Sequence, residues 1–229
     1  MAEFSNLDLP LFPLNTVLFP GIDLPLHIFE ERYRQLIHDR QDANPAFGVV
    51  LITGGSEVGD QPETANVGTA ASIEVLHAHD DGRFDLVVRG GRRFRIHQRN
   101  WSRPYLVGTI EWLPDDSEED VYSAMVDNAW RSFVALANAY LSQTTRFTKL
   151  SLELETRGRP SGMSSAELAY VLASRLPVAS VERQELLEAS TIEDLLMMLV
   201  RIMSRERRLV NRIGATVVIA GGTVKEQRS

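Results

Sequence analysis

Six arginines, Arg89, Arg92, Arg93, Arg95, Arg99 and Arg103, fall in one short stretch with Trp101 among them. Guanidinium groups neutralise phosphates and an indole offers a stacking face, so this strip is where the chain could contact a single-stranded nucleic acid. Arg89, Arg92, Arg93 and Trp101 are the candidate contacts. Strand alternation offers another reading, in which Arg93 and Arg95 face solvent opposite Phe94 and Ile96 and pair with nearby acids. The formal net charge of −7 also works against a polyanion.

Other reactive side chains are scattered. His77 and His79 share one face of a strand and run into Asp80 and Asp81, donor types that suit a transition metal. No further ligand or supporting partner is identifiable, so no metal is assigned. Glu30–Glu31, Asp115–Asp116 and Glu153/Glu155 are carboxylate pairs of the kind used in acid–base catalysis. Adjacent strand residues point to opposite faces, however, and the Asp115 cluster suits a helix N-terminus. Lys149 and Ser151 form a nominal base–nucleophile pair. The chain has no cysteine, which excludes thiol nucleophiles, disulfides and cysteine-based metal sites. No Gly-Lys pair occurs, and the Gly54–Gly59 loop carries Glu57, which would repel phosphate. The expectation is therefore no catalytic residue, no cofactor and no metal.

The elements that must position these residues divide the chain in two. Pro10, Pro13, Pro20 and Pro25 break the opening into short extended pieces. Phe29 to Asp39 has helical spacing, with Phe29, Tyr33, Leu36 and Ile37 on one face. Phe47–Ile52 reads as a buried strand. Val67–His77 and Arg83–Arg89 read as a hairpin across Asp80-Asp81-Gly82, followed by a turn at Gly90–Gly91, a strand Arg92–Ile96 and a closing strand Tyr105–Leu113. The acidic run Pro114–Asp120 then marks a boundary. Beyond it, helices are predicted over 121–142, with Tyr122, Val126, Ala129, Phe133, Leu136 and Tyr140 on the buried face, over 164–176, from Ser180, and over 191–210. Ser164/Glu167 and Ser190/Glu193 are capping boxes and Ser180 is an N-cap. Met197 falls opposite the buried face of the last helix, where a methionine suits an adaptable contact. Thr216–Ala220, β-branched and glycine-bounded, reads as a short strand for a sheet edge, its own or a second copy's. No long apolar run or basic leader is seen, so a cytoplasmic protein is expected.

Four blocks resemble the N-terminal domain of Lon proteases. The first runs from Leu9-Pro10-Leu11-Phe12-Pro13-Leu14 through Leu18-Phe19-Pro20-Gly21 to Phe29-Glu30-x-Arg32-Tyr33. Phe47-Gly48-Val49-Val50 and Val67-Gly68-Thr69-x-Ala71-x-Ile73 follow. The last runs from Gly91-x-x-Phe94-Arg95-Ile96 through Pro104-Tyr105-Leu106 to Leu113-Pro114-Asp115. Leu176-Pro177 and Gln184–Glu188 are similar to that family's helical segment. The resemblance implies an α+β fold, with a PUA-like β-barrel lobe over 1–115, a helical lobe over 116–210 and a tail over 211–229. It implies a bacterial, ATP-independent, non-catalytic role in binding unfolded or degron-bearing polypeptide, or a specific protein partner. At 229 residues no room is expected for ATPase and protease domains. The alternative is an RNA-binding PUA-like module using the Arg89–Arg103 strip.

Overall fold

The computed structural model describes residues 7–43, 45–55, 61–114, 122–141 and 159–225, with the backbone alone for 141 and 213–225. Lys149, Ser151, Glu153, Glu155, the Asp115–Asp120 run and Glu57 of the glycine-bearing loop lie outside the described residues. The strands are β1 (Leu7–Leu14), β2 (Asp23–Ile28), β3 (Phe47–Gly54), β4 (Glu63–Ala78), β5 (Phe84–Asn100) and β6 (Leu106–Trp112). The helices are α1 (Glu31–Arg40), α2 (Ser123–Leu141), α3 (Ser165–Arg175), α4 (Ser180–Leu187) and α5 (Ile192–Lys225). They form two compact units, one of Met1–Glu118 with Ala173–Ala189, the other of Glu119–Leu172 with Ser190–Ser229.

In the first unit the strand order is β2-β5-β4-β3-β1-β6, and β6 also pairs with β5, closing five strands into a barrel. The long β5 makes this closure. Its first half pairs with β2 and its second with β6, while β4 runs beside both halves. Pro10 and Pro13 do not interrupt β1. Pro10 pairs only toward β6 and Pro13 only toward β3, so each stands where one side of β1 is unpaired and a missing N–H can be accommodated. Phe47–Leu51 is continuously apolar because both faces of β3 are covered. Val50 joins Leu9, Leu11, Phe94 and Ile110 inside the barrel, whereas Phe47 and Val49 join Phe12, Tyr33, Leu36 and Ile37 in a second cluster built with α1.

Gly90–Gly91 bends β5 without ending it. A side chain at Gly90 would sit 2.2 Å from the carbonyl oxygen of Phe19, so the glycine admits the Phe19–Ile22 backbone, which bonds to it at both ends. One extra β5 residue beside Thr69–Ala71 forms a bulge there.

The helical regions depart from expectation in several places. α4 belongs with the barrel, dividing the expected 116–210 lobe. Gln184 donates to the Val67 carbonyl at 2.9 Å and Ser180 to that of Asn15 at 2.9 Å, so Ser180 is not an N-cap; Ala179 holds that position. The cap of α5 is Thr191, not Ser190. Its hydroxyl accepts from the Asp194 amide at 3.1 Å and donates to the Asp194 carboxylate at 2.9 Å. The Ser164–Glu167 box forms in both directions, at 2.7 and 3.2 Å.

In the second unit α2 buries Val126, Ala129 and Leu136, while Tyr140 is exposed. α5 buries Ile192, Leu195, Leu196, Leu199, Ile202 and Met203. Thr216–Ala220 is helical, the continuation of α5, not a strand. Extending an established helix costs far less than starting one, which overrides weak β preferences in five residues.

Candidate functional site

The arginine strip does not gather on one surface. Arg93 is buried at 5 % exposure, its guanidinium donating to the carbonyls of Leu187 at 2.9 Å and Ala189 at 2.7 Å. Arg89 pairs with Asp23 at 3.2 Å on the outer face of β5, and Arg92 donates to the Leu113 carbonyl at 2.8 Å. Arg99 is held by Thr64, Ala65 and Asn66, Arg103 by Asp39, and Trp101 packs against the barrel's inner cluster. Alternation misplaced Arg93 because α4 covers that part of the barrel and converts an outward strand position into a buried one. The nucleic-acid reading is left without a shared surface.

The histidines do converge. Register aligns His27, Asp85 and His77 across β2, β5 and β4. Asp85 lies 2.5 Å from His27 Nδ1 and 2.7 Å from His79 Nε2, and the His77 ring meets His79 edge-on at 4.8 Å. Bonds first to His27 and then to His79 hold the Asp85 carboxyl below the usual carboxylate range. His27 was not foreseen, because only strand register brings it to this row. Among the described residues no group of three or more such side chains is arranged to hold a metal ion.

A recess in the barrel unit lies where β2 meets α1. Alternation turns Leu24 and Leu26 toward the core and buries Ile28. The Glu30 carbonyl accepts the first amides of α1, from Tyr33 and Arg34, so the helix begins after Phe29. Phe29 therefore stands outside the helix at 53 % exposure and not on its buried face. Beside it is a pocket of about 150 Å³ lined mainly by Phe12, Leu14, Leu26, Ile28 and Tyr33, with His27 and Glu30 as its polar members. Its aromatic floor is braced. Phe12 meets Tyr33 at 4.2 Å, and Arg32 stacks over Tyr33 at 4.6 Å while bonding Glu30 at 3.0 Å. His27 stacks on Phe29 at 6.1 Å. The pocket offers apolar contact beside one largely buried ion pair. No signal in the sequence marks Phe29 as exposed, since its spacing from Tyr33 fits the helix.

The Ile22 carbonyl accepts from Gly90, so even-numbered β2 residues turn their polar groups to β5 and Asp23, Pro25 and His27 turn theirs to the open edge. Pro25 removes the central donor of that edge, which blunts it for strand addition.

A profile of the ATP-dependent protease La (LON) substrate-binding domain matches residues 8–205 of the chain. The chain belongs to this family. The LON domain is 29% identical over 186 residues to Lon protease 2 of Syntrophobacter fumaroxidans, covering 79% of this chain and 22% of that protein. It is 28% identical to the Lon protease of Anaeromyxobacter dehalogenans, covering 96% of this chain and 26% of that one. It thus spans about a quarter of the length of the curated relatives it matches. A Lon N-terminal domain protein from Xanthomonas campestris superposes with TM-score 0.60 at 28% identity, over 85% of this chain and 98% of that one. The N-terminal domain of Lon protease from the Mycobacterium avium complex shares the fold, with TM-score 0.57 at 16% identity over 86% and 98% of the two chains. The α+β architecture of the LON domain, a mixed six-stranded sheet with a helical C-terminal part, matches these structures. Among the described residues no helix of the LON domain is long and apolar enough to cross a membrane.

Proposed function

We propose that this chain binds unfolded polypeptide without catalysis, seating apolar side chains in the recess beside Phe29. One observation carries the reading: in a family described as substrate-binding, a large aromatic ring stands 53 % exposed at the edge of a braced, apolar pocket. A half-exposed ring of this kind is a typical anchor for an apolar partner. Covering ~100 Å² of apolar surface would contribute about 2.5 kcal/mol, enough for weak, repeated capture of many sequences. The proline-blunted edge of β2 favours side-chain burial over strand pairing. In this reading the chain supplies recognition alone and hydrolyses neither nucleotide nor peptide. It works in the bacterial cytoplasm on unfolded or degron-bearing chains, or on a dedicated protein partner.

The test is fluorescence anisotropy of a labelled, permanently unfolded polypeptide titrated with this protein, beside the folded form of the same polypeptide and a labelled RNA. Saturable binding of the unfolded form that persists at moderate salt is expected. Preference for the folded form, or RNA binding that collapses with salt, would overturn the reading.

A further inference from the structure

The helical unit carries a second recess of different character. α2 and α5 line a half-open pocket of about 260 Å³ with the apolar Met125, Leu196, Met197 and Val200, beside the polar Asn128, Arg201 and Ser204. Met197 is 51 % exposed. Unbranched, polarizable methionines accommodate apolar side chains of varied shape. Arg201 and Arg208 follow Met197 at helical positions i+4 and i+11, on the same outward stripe of α5, and both are exposed. Residues 201–212 hold five arginines and a single acid, in a chain whose net charge is −7. That acid, Glu206, is mostly buried and bonded to Arg205 at 2.7 Å. An apolar pocket therefore opens onto a basic ridge in an otherwise acidic protein.

We propose that this pocket and ridge form a second peptide site, selective for an acidic segment that carries one large apolar side chain. The proposal rests on the polypeptide-binding reading and adds the charge of the ligand. Charge complementarity selects the acidic segment, because residues 201–212 hold five arginines against one acid that is already bonded to Arg205, in a chain of net charge −7. The apolar walls select a peptide over a nucleic acid, whose bases need a stacking platform that these methionines and aliphatic residues do not supply. Geometry sets the spacing. Arg201 and Arg208 lie ~6 and ~16 Å along the helix from Met197. An extended peptide advances ~3.3 Å per residue, so its carboxylates fall about two and about five residues from the apolar anchor.

The test uses the intact chain and three short labelled peptides: a leucine with glutamates at those two spacings, the same peptide with lysines for the glutamates, and the same with serine for the leucine. The acidic leucine peptide binds tightest, and weakens with salt. Arg201→Glu/Arg208→Glu lowers its affinity roughly tenfold. Met197→Ser, at a half-exposed position, weakens it without unfolding the helix. The permanently unfolded polypeptide keeps its affinity for the arginine double variant. Equal binding of acidic and basic peptides, an unchanged double variant, or RNA bound at the ridge in preference to the acidic peptide would overturn the proposal. Loss of the acidic peptide in Phe29→Ser would move it to the barrel recess and remove this site, leaving polypeptide binding intact. Binding of the acidic peptide without binding of unfolded polypeptide would retain this site and reject the broader reading.

Discussion

Replacing Arg93 by methionine separates a structural from a nucleic-acid role for the arginine strip. The guanidinium is 5 % exposed and bridges β5 to the end of α4 through bonds of 2.9 Å to the Leu187 carbonyl and 2.7 Å to that of Ala189. Hydrogen bonds from a charged donor contribute ~1.5–3 kcal/mol each, and methionine preserves the apolar stem while leaving both carbonyls without that donor. Relief of the desolvation cost of a buried charge offsets part of the loss. The expected net destabilisation is about 2–3 kcal/mol, which for a chain of this size lowers the melting temperature by roughly 4–12 °C. Arg92→Met, which removes one exposed bond at 2.8 Å to Leu113, changes stability by about 0.5 kcal/mol or less. Urea unfolding followed by tryptophan fluorescence in a Trp130→Phe background reads the barrel unit, since Trp130 lies on α2 of the helical unit while Trp101 and Trp112 pack against the barrel's inner cluster. A shifted midpoint with unchanged slope is the predicted signature for Arg93→Met. Equal stability of the two variants would refute the bridging role, and loss of RNA binding in a fully stable Arg93→Met protein would restore the strip as a binding surface.

Three further outcomes follow from the barrel unit. Gly68→Ala places a methyl 2.5 Å from the Val49 carbonyl oxygen and 2.6 Å from the Phe94 ring, so urea unfolding should show a loss of about 2–3 kcal/mol. Tyr105 donates to Asp39 at 2.7 Å, and burial, then Asp39, raises its phenol above the usual range. Its neutral form is favoured in the fold, so the advantage over Tyr105→Phe, ~1 kcal/mol at neutral pH, should be lost as pH rises past ~10 through the raised value. Asp85, lowered by His27 and His79, works the other way. Asp85→Asn should reduce thermal stability above the ordinary carboxyl pKa of ~3.9, and that difference should fade as pH falls through the lowered value.

Much of the architecture was legible because local pattern and burial agreed. Phe47–Ile52 read as a strand since both of its faces are covered, and Asp80-Asp81-Gly82 read as a hairpin turn since Gly82 takes φ +81°. The Ser164–Glu167 box and the buried stripe of α5 were equally plain. What escaped depends on partners distant in sequence. Arg93 is buried by residues 94 and 96 positions away, and Gln184 ties α4 to a strand residue 117 positions away. Phe29 shows the same limit at close range. Its spacing fits α1, yet the helix begins at Glu31, where the Glu30 carbonyl accepts the first amides, and the ring is left outside. Thr216–Ala220 followed the helix already running into it in place of its own β preference. The candidate site was accordingly the least legible part, because its defining feature is an apolar side chain that the fold leaves uncovered.

The most direct measurement is the affinity of permanently unfolded polypeptide for Phe29→Ser beside the unaltered chain, at low and moderate salt. Phe29 is 53 % exposed, so its replacement leaves stability within about 0.5 kcal/mol. Roughly tenfold weaker binding at both salt concentrations is predicted, as for loss of an apolar anchor. Unchanged affinity in a folded Phe29→Ser protein would contradict the barrel recess as the polypeptide-binding surface.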